Sequence, residues 1–174
     1  SDIFPQNITN TLGTSGTFTI KDAMTNYFTL SQSTGNVRLL RNLELGNMIN
    51  STPSVGVITK NGVRFMHNYQ APATDGFNTF VGLTSGNFTM AGTLYSASYN
   101  TGVGYGTLSS ISLGFGNSAF GYQSLFSNAE GYDNTAIGIL ALTSNTSGYE
   151  NTAVGNGSLT NNTTGYNNTA IGSV

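Results

Sequence analysis

His67 is the only histidine in the chain. An imidazole can act as a general base or a metal ligand when a nucleophile or further ligands stand close to it. No serine-nucleophile motif and no carboxylate flanks His67 in sequence, so we read it as a structural residue at a strand end. The acids are few and scattered, but Asp133 and Glu150 stand seventeen positions apart. If that distance is a repeat, the two carboxylates are neighbours in space. Such a pair could serve glycoside hydrolysis or calcium binding; two carboxylates at a solvated turn are the plainer reading. Tyr132, Tyr149 and Tyr166 share the same spacing. Aromatic rings with polar tips can stack on sugars. They can equally pack over a turn and cover it, which is the reading preferred here. The chain has no cysteine, which excludes a disulfide framework and a thiolate metal site. No cofactor and no metal is implied by these residues.

The shared spacing points to the elements that position these side chains. Asn-Thr-Ala-Ile-Gly begins at Asn134 and at Asn168, and Asn-Thr-Ala-Val-Gly at Asn151. Asn-Ser-Ala-Phe-Gly begins at Asn117 and Asn-Thr-Gly-Val-Gly at Asn100. Each start is seventeen positions from the next, and a looser copy begins twenty-two positions before the first of them, at Asn78. The extra residues of that loose copy are expected in a loop.

Stacking the copies gives fixed columns. Column one is Asn100, Asn117, Asn134, Asn151 and Asn168. Column four is Val103, Phe120, Ile137, Val154 and Ile171. Column nine is Leu108, Leu125, Leu142 and Leu159. Columns five and fifteen are glycine, and column sixteen is aromatic. The apolar positions do not recur at helical spacing. Two short strands and two turns per copy fit instead, with column four at the centre of one strand and column nine opening or bracketing the second. Successive coils would then pair about 4.8 Å apart, and column one would become an amide ladder. The expected fold is all-β: a parallel β-solenoid or β-roll with 17-residue coils over residues 73–174.

Composition agrees with this. Charged residues make up 7% of the chain, while Phe and Tyr together number nineteen, so the chain has the rings to order itself without the charges of a disordered one. All five Lys and Arg lie within residues 1–70. Nucleic-acid binding needs clustered cations, and residues 71–174 carry none, so no nucleic-acid partner is expected. No run of 18 apolar residues exists, so no helix inserted in a membrane is expected.

Residues 1–50 read as a β-rich shaft or cap, with Phe18, Ile20, Phe28 and Leu30 alternating with polar residues. A helical turn is allowed only within Lys21–Asn26. Residues 51–72 read as a hairpin connector, with Val55–Lys60 and Val63–His67 flanking Asn61-Gly62, the strongest short signal for a type I′ turn. The chain opens on Ser1 without Met and stops partway into a new copy. A processed product or a fragment of a longer fibre is expected.

The copies Asn134–Gly138 and Asn151–Gly155, each followed by Leu and a Thr-x-Gly turn, resemble the head repeats of trimeric autotransporter adhesins. They resemble equally the repeats of tail-fibre proteins of phages, giant viruses and many bacteria. The upstream phrases Gly16–Ala23, Phe28–Val37 and Asn61–Asn68 resemble stretches that commonly precede such repeats in tail-fibre-type proteins. The resemblance implies left-handed parallel β-rolls, three chains side by side. It also implies an extracellular, cell-surface or virion-surface location and attachment to a surface receptor, carbohydrate among the candidates. A homotrimer also answers the thin apolar content of each coil. The small residues of columns three and eight, such as Ala136, Ala153, Ser124 and Ala141, would let partner backbones approach. A non-enzymatic fibre segment is the leading expectation. Two alternatives stand: an ice-binding or other flat-surface solenoid using the hydroxyls of Thr101, Ser118, Thr135, Thr152 and Thr169, and a polysaccharide-degrading fibre enzyme.

Overall fold

The computed structural model describes residues 57–174 and, before them, three strands at 17–21, 26–31 and 37–39. The chain divides into two compact units, Ser1–Glu44 and Leu45–Val174. In the first, β1 (Thr17–Lys21), β2 (Asn26–Ser31) and β3 (Val37–Leu39) form an antiparallel sheet in that order. Its register sets Phe18 opposite Leu30 and Leu30 opposite Val37, and Ile20 opposite Phe28 and Phe28 opposite Leu39. The alternation seen in the sequence is therefore the alternation of a sheet. The helical turn allowed within Lys21–Asn26 falls mainly on residues 22–25, outside the described residues. Most of the expected shaft lies outside them too.

The second unit contains one sheet of eight strands. β4 (Ile58–Lys60) and β5 (Val63–His67) form the hairpin. Asn61 and Gly62 have φ of 51° and 75°, the two left-handed residues that a type I′ turn requires. Residues 51–56 lie outside the described residues, so the start of the expected strand at Val55 does too. The hairpin is joined to the repeat: β5 pairs antiparallel with β6 (Thr79–Val81). From there the sheet is parallel through β7 (Thr101–Val103), β8 (Ser118–Phe120), β9 (Thr135–Ile137), β10 (Thr152–Val154) and β11 (Thr169–Ile171). Each strand meets its equivalent one coil later. Ile137 is opposite Val154, and Val154 is opposite Ile171. The parallel β-solenoid with 17-residue coils is thus present, and no helix occurs among the described residues. The first copy is longer because 92–96 loop out: Ala91 donates to Ser112 and Ala97 donates to Leu113, the very next residue of the neighbouring coil.

Two sequence expectations are corrected. Each coil has one three-residue strand, not two. Leu108, Leu125, Leu142 and Leu159 of column nine lie in turns at φ of 49–51°. A left-handed leucine costs roughly 1–2 kcal/mol, whereas burying its side chain contributes about 1.5–3 kcal/mol. Burial wins, since Leu108, Leu125 and Leu142 are fully enclosed. The second correction concerns the strand faces. Ala119, Ala136 and Ala153 of column three point into the coil and are fully buried, as are Ser124 and Ala141 of column eight. The small columns line the interior, not a partner surface. Column four, the larger side chain of each strand, points outward: Phe120 is 40% and Ile137 43% exposed. The coil interior is already filled by Leu, Asn and backbone, and only a methyl group or less fits on the strand. Where Phe80 occupies this inner column, the next coil answers with Gly102, whose added Cβ would meet the Phe80 ring at 3.0 Å.

Candidate functional site

The interior is polar as well as apolar. Asn117 Nδ2 donates to Asn100 Oδ1 at 3.0 Å and to the Gly131 carbonyl at 2.8 Å. Asn134, Asn151 and Asn168 continue the file, each donating from Nδ2 and from its backbone N–H to the Oδ1 one coil before. Asn100, Asn117, Asn134 and Asn151 are completely buried, so every lone pair and proton must be matched inside the stack. A second file, in column twelve, escaped the sequence reading. Asn145 donates to Asn128 and Asn162 to Asn145, at 2.7 and 2.9 Å. Each of these three also bonds the glycine carbonyl of column fifteen in its own coil. The signal was in the sequence as an asparagine once per copy, but Ile111 interrupts the column in the first full coil.

The aromatic column is a stack. Phe115, Tyr132, Tyr149 and Tyr166 follow one another at 4.9, 4.7 and 4.9 Å between ring centres, within 6° of parallel. The faces of Tyr132 and Tyr149 are covered by their neighbours, and only ring edges and hydroxyls reach solvent. A sugar cannot lie on those faces. Tyr166 is the last of the file and stays 57% exposed. The Tyr132 phenol is pushed above its ordinary value by loss of solvent in the stack, with Tyr149, Glu150 and Asp133 adding to it.

Asp133 and Glu150 are exposed and adjacent along the next column. Both have left-handed backbones, φ of 51° and 53°, as does Asn167 at 55°. Gly116 holds the equivalent place at 65°. Gly, Asp and Asn are the residues that accept this conformation most readily, so the column is turn chemistry. No group of three or more His, Cys, Asp or Glu lies together among the described residues.

His67 is buried. Its Nε2 donates to the Ser85 carbonyl at 2.9 Å, and its Nδ1 accepts from the Tyr69 N–H at 3.3 Å. Both ring nitrogens are thus committed to backbone.

The outward strand face carries a continuous apolar row. Met66, Val81, Val103, Phe120, Ile137, Val154 and Ile171 are register partners in one continuous row across seven strands. Column six runs beside it. Tyr105, Tyr122 and Ile139 are about half exposed, and the two tyrosine rings stack at 5.4 Å. The hydroxyls of Thr101, Ser118, Thr135, Thr152 and Thr169 line the other side, two residues before column four and hence on the same face. From Thr79 onward these three columns contain no charged residue. Comparison with family models, with curated proteins and with solved structures gives no match.

Proposed function

We propose that this chain is a structural fibre segment, displayed on a cell or virion surface, that associates with two copies of itself and mediates attachment. The observation that carries this reading is the uncharged apolar face of the solenoid. Monomeric proteins rarely leave so continuous an apolar patch in water, and interface centres are depleted in charge and enriched in aromatics. A second copy of the same solenoid matches the face best. Its rows have the same rise per coil, so two such faces mesh along their whole length when the chains run parallel. The number three follows from the resemblance to fibre repeats. Sedimentation equilibrium tests the reading: the expected mass is three times the 18.2 kDa of one chain, and a chain that stays at 18.2 kDa at every concentration refutes it.

One observation favours a second reading. The hydroxyl row of column two is evenly spaced and lies on the same flat face, the kind of surface an ice-binding solenoid would present. Thermal hysteresis at millimolar protein supports it, and its absence removes it.

A further inference from the structure

We infer that the β4–β5 hairpin is an acid-released cap: Arg64 and His67 latch it to the carbonyls of Ser85 and Gly86 on the first coil, and protonation of His67 opens the latch while the coils behind it stay closed.

The hairpin meets the solenoid through little backbone. Only Met66 and His67 pair with β6, opposite Val81 and Phe80, and the Gly82 N–H adds one bond to the Phe65 carbonyl at 2.7 Å. Side chains supply the rest. Arg64 Nη2 donates to the Gly86 carbonyl at 2.5 Å and Nε to the Ser85 carbonyl at 3.4 Å. His67 Nε2 donates to that same Ser85 carbonyl. The imidazole is packed between Phe80 and Phe88, at 4.9 and 4.7 Å between ring centres, and Arg64 lies over Phe88 at 5.3 Å.

This arrangement fits only a neutral imidazole. Nδ1 accepts the Tyr69 N–H, so a proton placed on Nδ1 would point at another proton. The new charge would sit between two phenyl rings and beside the Arg64 guanidinium. No compensating carboxylate faces it among the described residues: 78–99 contains no Lys, Arg, Asp or Glu. Asp75 is exposed and accepts from the Tyr99 hydroxyl at 2.6 Å. Burial foremost, then Arg64, holds His67 near pKa 4, against the pull of its bond to Ser85. An opened hairpin returns the ring to its ordinary value of 6.5. The open form therefore takes up a proton between pH 6.5 and about 4, and the latch, fully effective above that window, weakens through it as pH falls. Opening bares the edge of β6, where a further strand can add.

His67 is the only histidine, so its ring proton is an unambiguous NMR signal in the whole chain. We expect it to titrate near pH 4 and not near 6.5. Hydrogen exchange at the Gly82 amide reads the cap itself. After correction for intrinsic rates it should speed up about 30-fold from pH 7.5 to pH 5, while the Ser118 and Thr135 amides keep their protection. In H67Q the rise at Gly82 should vanish. A midpoint near 6.5 with Gly82 still protected, coil amides opening together with Gly82, or an unchanged rise in H67Q would each overturn the inference. If H67Q does not fold, the titration and the wild-type exchange decide alone.

Discussion

Asn134 makes four side-chain hydrogen bonds and is wholly buried. Truncation to alanine orphans the Asn151 N–H, and it leaves the Gly148 carbonyl with only Asn145 Nδ2 and the Asn117 Oδ1 with only the backbone N–H of residue 134. An orphaned buried group costs about 1–3 kcal/mol and each further lost bond about 1 kcal/mol, so Asn134→Ala should lower stability in urea denaturation by about 2 kcal/mol or more. Asn161→Ala, at an exposed turn position of the same coil system, should change it by less than about 0.5 kcal/mol. Ser124 is the reverse case. Its hydroxyl is buried with no partner, and the next coil has Ala141 in the same column. Ser124→Ala should be neutral or slightly stabilising in the same assay. The two variants separate a polar group that the stack uses from one that it merely tolerates.

At the scale of the coil, two glycine columns have different causes. In column fifteen the need is space: a Cβ on Gly131 would lie 2.2 Å from Asn128 Oδ1 and 2.4 Å from the Gly148 carbonyl oxygen of the next coil. In column five it is conformation as well, with Gly138 at φ +137°. Gly131→Ala must therefore force two coils apart or break the second asparagine file, and should cost more than about 3 kcal/mol. Gly106→Ala meets nothing nearer than 3.4 Å and should cost about 1 kcal/mol, the strain of its left-handed turn. Thermal melts of the two variants check the contrast. The period and its columns were legible in the sequence because a solenoid writes the same position again in every coil. The hairpin was legible for a local reason, Asn61-Gly62. The strand faces were not. Thr-Ala-Ile alternates small and large, and burial of the large residue is the usual outcome. Here the flat coil interior, crowded by Leu142 and the asparagine files, reverses it. The single strand per coil was hidden too, since nothing in a leucine's chemistry announces a left-handed turn. Of the candidate site, the aromatic column was visible as a column, but its closure by ring-on-ring stacking depends on distances that residue order does not carry.

At the scale of the molecule, the proposed assembly rests on the outward face. Ile137 is 43% exposed and its removal opens no cavity in the coil. Ile137→Lys should leave the circular dichroism and melting of the isolated chain nearly unchanged. It should nevertheless shift sedimentation to 18.2 kDa, because a lysine desolvated at an apolar interface without a partner costs several kcal/mol. Because the chain has no cysteine, one introduced thiol maps the interface most directly. Ile139→Cys, within the uncharged face, should form covalent dimers on mild oxidation of the assembled protein. Glu130→Cys, outside that face, should remain monomeric on a denaturing gel. The opposite pattern, or no cross-link from either position in an oligomer of proven mass, would contradict the claim that copies of this solenoid meet through columns four and six.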